Sequence, residues 1–180
     1  KVNSVGIDPS INVGKIANDK GLKTYIGFFD NIMIKKILEK YEKPDLIVAS
    51  SVVTHLENPI KFSRNIKRFL KENGTLIIEI EYLQNFVKNI EYERFYFDRP
   101  FYYSASSINK LFKNVGMKLY DIEKVNIHGG SLRLYIKNSL NCRVTKRCEK
   151  ILINEEYNLT LKTFKRFENQ IYKYSNLFKK

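Results

Sequence analysis

Cysteine is scarce: Cys142 and Cys148 are the only two in 180 residues. Their spacing fits neither a CxxC metal knuckle nor a redox pair, so no metal site is expected in this chain and both read as reduced structural thiols of a cytoplasmic protein. No uninterrupted apolar run approaches the roughly 20 residues that span a bilayer, so a membrane is not an expected partner. Acids are outnumbered, with 19 Asp+Glu against 32 Lys+Arg and a net charge of +13. Such a balance raises a nucleic-acid reading. The lysines (Lys35, Lys36, Lys40, Lys67, Lys71, Lys162, Lys165) are scattered along polar faces and form no stripe, so nucleic acid is not the expected partner either. Internal repeats and low-complexity linkers are missing.

One further absence concerns the start of the chain. Val2 through Ile7 read as a strand running into Gly6-Ile7-Asp8-Pro9-Ser10, with a helical pattern from Asn12. An aspartate at a strand end can accept hydrogen bonds from both hydroxyls of a cofactor ribose. Nucleotide-binding α/β folds place a glycine-rich turn after their first strand and that acid after their second, and no such turn precedes Asp8. The sequence therefore reads as starting inside a domain of a larger enzyme.

What is present suffices for one ordinary core: 43% of residues are hydrophobic. Helical patterns span Asn12 to Lys20, closed by Gly21, and Asn31 to Glu42, with Ile32, Ile34, Ile37 and Leu38 as the apolar face. After Pro44, Asp45 to Ser50 is a continuously apolar strand of the kind buried on both faces of a parallel sheet. Asn58-Pro59 is a cap followed by proline at the first helical position. Ile60, Phe62, Ile66, Phe69 and Leu70 form the apolar stripe, and Gly74 stops the helix. Thr75 to Ile80 is another buried strand, and Ser107 to Val115 a helix ended by Gly116. Lys118 to Val125 and Ser131 to Lys137 are strands joined by Asn126-Ile127-His128-Gly129-Gly130, hence antiparallel. From Lys146 a long amphipathic stretch carries Tyr157, Leu161, Phe164, Ile171 and Phe178. The expected fold is α/β and Rossmann-like: a mostly parallel sheet with a terminal antiparallel hairpin, helices on both faces, and a long C-terminal helix.

The candidate site residues each admit two readings. Asp8 is either a ribose ligand or a turn and capping aspartate before Pro9, and it cannot tell S-adenosylmethionine from NAD. Phe28 and Phe29 either flank an adenine or belong to the core. Ser50, Ser51 and His55 fall just past the carboxyl end of a central strand, where ligands bind in open α/β sheets. His55 and His128 are the chain's two histidines, and both are either satisfied structural groups or site residues. Gly129-Gly130 serves a tight turn, a close backbone approach to a substrate, or both. The run Tyr96 to Ser104 is either a packed aromatic loop or a substrate contact.

Taken in order, Gly6 to Ser10, Phe28-Phe29, Ala49-Ser50-Ser51-Val52-Val53-Thr54-His55, Glu79 to Tyr82, Tyr96 to Ser104 and His128 to Arg133 resemble the sugar C-methyltransferases. These S-adenosylmethionine-dependent enzymes methylate C3 of a nucleotide-linked 4-keto-6-deoxy sugar. A parallel sheet finished by a hairpin also separates such methyltransferases from most nicotinamide dehydrogenases. The resemblance runs from Val2 to Ile136. It implies that Asp8, Pro9, Ser10, Phe28, Phe29, Ala49, Ser50 and Ser51 face the cofactor S-adenosylmethionine. Tyr82, Tyr102, Gly129, Gly130 and Ser131 would face a nucleotide-sugar substrate, and catalytic roles would fall among Tyr96, Asp98, Arg99, His55 and His128. Family members add an upstream zinc-binding domain, a glycine-rich first motif and a C-terminal domain. Residues 1–140 would then be part of a class I methyltransferase domain and 141–180 a helical linker or the start of the next, with zinc expected only upstream.

Two departures stand out. The family usually has asparagine where Ser51 stands, and histidine, taken as the base or its helper, where Arg99 stands. Arginine stays protonated, so it can bind an enolate oxygen or a phosphate but cannot take a proton from carbon. The functions left open are a sugar or small-molecule C-methyltransferase, a diverged relative that binds without methyl transfer, and an RNA methyltransferase favoured only by charge.

Overall fold

The structure, a computed structural model, describes residues 3–178. Val2, where the first strand is expected to begin, lies outside the described residues, as does the side chain of Phe178. The chain divides into two units, one up to Lys43 and one from Pro44 onward.

In the first unit, β1 (Gly6–Asp8) pairs in parallel with β2 (Thr24–Ile26), Gly6 opposite Thr24 and Asp8 opposite Ile26. The strand is shorter than its apolar run predicts because three residues find a partner, and Asp8 is its last paired residue. Ser10 caps α1 (Ile11–Asp19), accepting from the Val13 amide at 3.5 Å. Gly14 lets α1 lie close to β2, since a Cβ there would stand 2.5 Å from Ile26 Cγ1. Asp30 caps α2 (Asn31–Leu38), accepting from the Met33 amide at 2.8 Å. The buried face of α2 is Met33, Ile34 and Ile37, while Ile32 is 78% exposed. Residue 32 lies about 100° from 33 around a helix of 3.6 residues per turn, which moves it off the stripe assigned from sequence.

The second unit is built on four strands in the order β3-β4-β6-β5. β3 (Leu46–Ser50) runs parallel to β4 (Thr75–Glu81), with Leu46 opposite Thr75 and Ser50 opposite Glu79. β5 (Lys118–Val125) and β6 (Ser131–Lys137) form the expected hairpin. β6 inserts between β4 and β5 and runs antiparallel to both, so three strands point one way and one returns. Alternation along the strands gives the sheet a dry face: Leu76, Ile78, Ile80, Leu132, Leu134, Ile136, Leu119 and Ile122 are buried. Also buried are Phe62, Ile66 and Phe69 of α3 (Pro59–Phe69) and Ile108 and Phe112 of α5 (Ala105–Lys113). Each such side chain contributes about 1.5–3 kcal/mol. Burial on both sides of β3 is not met, because Leu46 and Val48 are 52% and 63% exposed.

The helix signals hold with shifts of a residue or two, except that α2 ends at Leu38, four residues before the expected Glu42. Asn58 caps α3 through the Lys61 amide at 2.8 Å, and Pro59 follows as its first residue. Its other end is closed from a distance: buried Asn138 donates Nδ2 to the carbonyls of Leu70 and Lys71, both at 3.0 Å. Ser104 and Ser107 form a reciprocal capping box at α5. A helix absent from the sequence reading, α4 (Leu83–Asn89), follows β4 directly. The terminal stretch is two helices, α6 (Lys146–Asn158) and α7 (Leu161–Phe178). Where a boundary is expected after residue 140, α6 is tied back into the second unit. Glu155, 2% exposed, accepts from the Ala105 and Ser106 amides at 2.7 Å and from Ser106 Oγ at 2.6 Å, covering the N-terminus of α5.

Candidate active site

In the first unit Asp8 closes β1. Its Oδ1 accepts the Ser10 amide at 2.8 Å, and its main-chain oxygen accepts the Gly27 amide at 2.9 Å. The turn reading of Asp8 is therefore realised through one carboxylate oxygen, while the helix cap is Ser10 and not Asp8. Oδ2 is engaged by no hydrogen bond from the described residues. Phe28 is 75% exposed and so is not a core residue, whereas Phe29 is half-buried. Pro9 is exposed.

In the second unit the candidate residues gather at the carboxyl ends of β3 and β4. Ala49 is buried, and the exposed Ser50 donates Oγ to Glu79 Oε1 at 3.5 Å. Ser51 takes a left-handed conformation with φ 55° and donates its amide to the Glu79 carbonyl at 3.0 Å. Asparagine adopts that conformation more readily than most residues, which accounts physically for the family's preference there and shows that serine fills the same backbone role. The chain then makes a single 3₁₀ turn, Val53–His55, anchored by a fully buried Val53. That turn carries the His55 imidazole to the loop holding Asp98, with Nδ1 3.3 Å from the Asp98 carbonyl oxygen and 4.0 Å from its Oδ2.

The aromatic segment is packed in part, with Tyr103 buried and Phe97 fully exposed. Phe95 meets Tyr102 at 4.6 Å and Phe86 at 5.8 Å between ring centroids. The Tyr102 hydroxyl accepts the Tyr96 amide and lies 3.2 Å from the Arg94 and Tyr96 carbonyls, so it is engaged by its own loop. Burial of Tyr103 pushes its hydroxyl up to about 12. Arg99 is not a free cation: Nη1 meets Glu81 Oε1 at 2.8 Å, and the guanidinium lies 4.8 Å from the centroid of the Tyr96 ring. The same Glu81 holds Arg94 through Oε2 at 2.9 Å. Asp98 thus stands beside His55 and Arg99 beside Glu81, while the Tyr96 ring, in a residue 48% exposed, lies against Arg99.

Arg94 extends this network to the hairpin loop, where its Nη2 donates to the His128 carbonyl and its Nη1 meets Glu91. His128, Gly129 and Gly130 all have positive φ. A Cβ on Gly129 would stand 2.0 Å from Arg94 Nη1, and one on Gly130 2.3 Å from Asn85 Nδ2. The close approach that the glycines permit is made by protein side chains. Ser131 is buried with its hydroxyl on the Ile127 carbonyl at 3.0 Å. Tyr82 is 2% exposed, its hydroxyl donates to Gln84 Oε1 at 2.7 Å, and burial raises its pKa.

Glu79, Glu81, Arg94 and Arg133 organise this end of the sheet, and none was among the expected site residues. Glu79 accepts from Arg133 Nη2 at 2.9 Å across the β4–β6 pair. Two acids spaced by two in an otherwise apolar strand must share one face, and that alternation was the available signal.

An α/β unit whose polar groups collect past the carboxyl ends of parallel strands is a ligand-binding domain of the open-sheet class. Comparison with known proteins narrows the class: the chain belongs to the methyltransferase domain family, which matches residues 1–122. It is 24% identical over 131 residues to the C-methyltransferase NovU of Streptomyces niveus, covering 73% of this chain and 31% of that protein. An uncharacterized protein of Methanocaldococcus jannaschii is 30% identical over 119 residues, 63% of this chain and 55% of its own length. The chain thus spans about a third and about half of these curated relatives. Among solved structures it is similar to a SAM-dependent methyltransferase from Thermotoga maritima, with 18% identity, a TM-score of 0.60 and coverage of 76% and 73% of the two chains. The magnesium protoporphyrin IX methyltransferase of Synechocystis, solved with bound SAH, is 15% identical with a TM-score of 0.56, covering 75% and 64%. At these identities the structures establish a shared fold.

Proposed function

We propose that this chain is part of an S-adenosylmethionine-dependent C-methyltransferase acting at C3 of a nucleotide-linked 4-keto-6-deoxy sugar. The observation that carries the reading is a chain of contacts at one end of β4: His55 meets Asp98, the adjacent Arg99 pairs with Glu81, and Glu81 also holds Arg94, which reaches the His128 carbonyl of the hairpin loop. These are the motifs on which the resemblance rests, and the similarity to NovU supports carbon as the methyl acceptor.

The residues of the first unit fit the cofactor. Asp8 keeps Oδ2 for a ribose hydroxyl while the Ser10 amide orients the carboxylate, and the exposed Phe28 ring offers a face for adenine. When bound, S-adenosylmethionine supplies a sulfonium methyl group. The chain's own residues would hold the sugar so that its ketone faces positive and hydrogen-bonding groups, with alignment contributing several orders of magnitude in rate. The Arg99–Glu81 pair is formally neutral, which fits a positioning role for Arg99 better than that of a free charge at an enolate. The same pair also favours a second reading, a diverged relative that binds without transferring methyl.

Calorimetry on the full-length protein tests the cofactor half of the proposal. Asp8→Ala should weaken S-adenosylmethionine binding by about 1–3 kcal/mol with thermal stability unchanged, because stranded ribose hydroxyls lose a charged acceptor. Equal affinity in the two proteins would remove Asp8 from the site.

A further inference from the structure

We propose that His55 is the base that takes the C3 proton and that Asp98 is the residue that positions it, an assignment that rests on the C-methylation reading. The family's histidine is replaced by Arg99, and the guanidinium there is both permanently protonated and engaged by Glu81 at 2.8 Å. The residue immediately before it, Asp98, makes the contact that matters. Its carbonyl oxygen, which can only accept, lies 3.3 Å from His55 Nδ1, and its Oδ2 lies 4.0 Å away. Nδ1 must therefore carry the hydrogen, which leaves the lone pair on Nε2. This is the geometry of an oriented base: one ring nitrogen is held by a backbone carbonyl with a carboxylate 4.0 Å away, and the other is open to receive a proton. Asp98 is the charged group recorded against the imidazole among the described residues.

Tyr96, Asp98 and His128 are poorer candidates. A tyrosine hydroxyl is a weak base at neutral pH. Asp98 directs its acceptors toward His55, and the His128 backbone is fixed by Arg94 in a left-handed turn. His55 instead is the exposed residue of a 3₁₀ turn whose other two residues, Val53 and Thr54, are buried, and its side chain is 43% exposed. In the proposed step the C3–H bond breaks, the proton passes to Nε2, and the bonding pair moves into the C3–C4 enolate with charge on the ketone oxygen. In heavy water the same imidazole returns a deuteron to C3, so the step can be read without any methyl donor.

The experiment is deuterium wash-in at C3 of a nucleotide-linked 4-keto-6-deoxy sugar, followed by NMR on the full-length protein without S-adenosylmethionine. Parent protein should exchange. His55→Ala should lose about 10²–10⁴-fold, and added imidazole should restore part of the rate, a rescue that a folding defect would not show. Asp98→Asn should slow exchange about 10- to 100-fold at unchanged sugar affinity, with Asp98→Glu recovering part of it. Undiminished exchange in His55→Ala would overturn the assignment and leave C-methylation standing. No exchange in the parent despite bound sugar would overturn both.

Discussion

Asp121 makes plain what single residues contribute here. Its carboxylate accepts from Arg147 Nε at 2.6 Å and from Thr145 Oγ1 at 2.6 Å, joining the bulged strand β5 to the cap of α6. The Arg147 hydrogen bond holds its pKa below the ordinary aspartate value. A lowered carboxylate pKa stabilises the fold above the unfolded-state value and loses that contribution as pH falls through the folded-state value. Acidification below about 4, the ordinary aspartate value, should therefore lower the melting temperature of the parent more than that of Asp121→Asn. At neutral pH the variant should be less stable by about 0.5–1 kcal/mol, the range for a pair with a half-exposed arginine. Parallel melting curves across the acid range would contradict the account. Cys148 is the opposite case: burial pushes its thiol up to about 11, which fits the structural role expected from its spacing. Glu81 was harder to read in advance. Its partners Arg94 and Arg99 lie 13 and 18 residues away, and no local rule selects them.

Among the elements, those with strong local punctuation were legible. α3 has an Asn-Pro start and a long apolar stripe, α5 a serine cap, and β5 and β6 flank a Gly-Gly turn. β2 is three residues between Gly21 and Gly27, too short for alternation to register. α4 starts without a side-chain cap and ends on Ile90 in the left-handed region, where glycine usually signals a stop. The break between α6 and α7 also lacks glycine and proline, and its start signal is Thr160, which accepts the Thr163 amide at 3.2 Å. Glu155 belongs to this scale because it fastens one helix to another. Glu155→Gln places an NH₂ donor against amides that themselves donate, so unfolding free energy in urea should fall by about 1–3 kcal/mol. An unchanged midpoint would mean that α6 docks independently of that carboxylate.

At the scale of the whole molecule the surplus of positive charge is carried mainly by lysine. Arg133 of β6, Arg147 of α6 and the loop arginines Arg94 and Arg99 are each paired with Glu79, Glu81, Glu91, Glu123 or Asp121. With these arginines paired to carboxylates, no arginine stripe runs along the site end of β4 among the described residues, which counts against a nucleic-acid track there. Fold class was legible because strand and helix patterns alternate along the chain, whereas the substrate was suggested by motif resemblance alone, since chemistry lives in sites and not in folds. The most direct measurement gives the full-length protein carbon-13 methyl-labelled S-adenosylmethionine and a nucleotide-linked 4-keto-6-deoxy sugar, and locates the label by NMR. The account predicts a new methyl carbon bonded to C3 of the sugar. Label on an oxygen or nitrogen, or no transfer while both ligands bind, would contradict it.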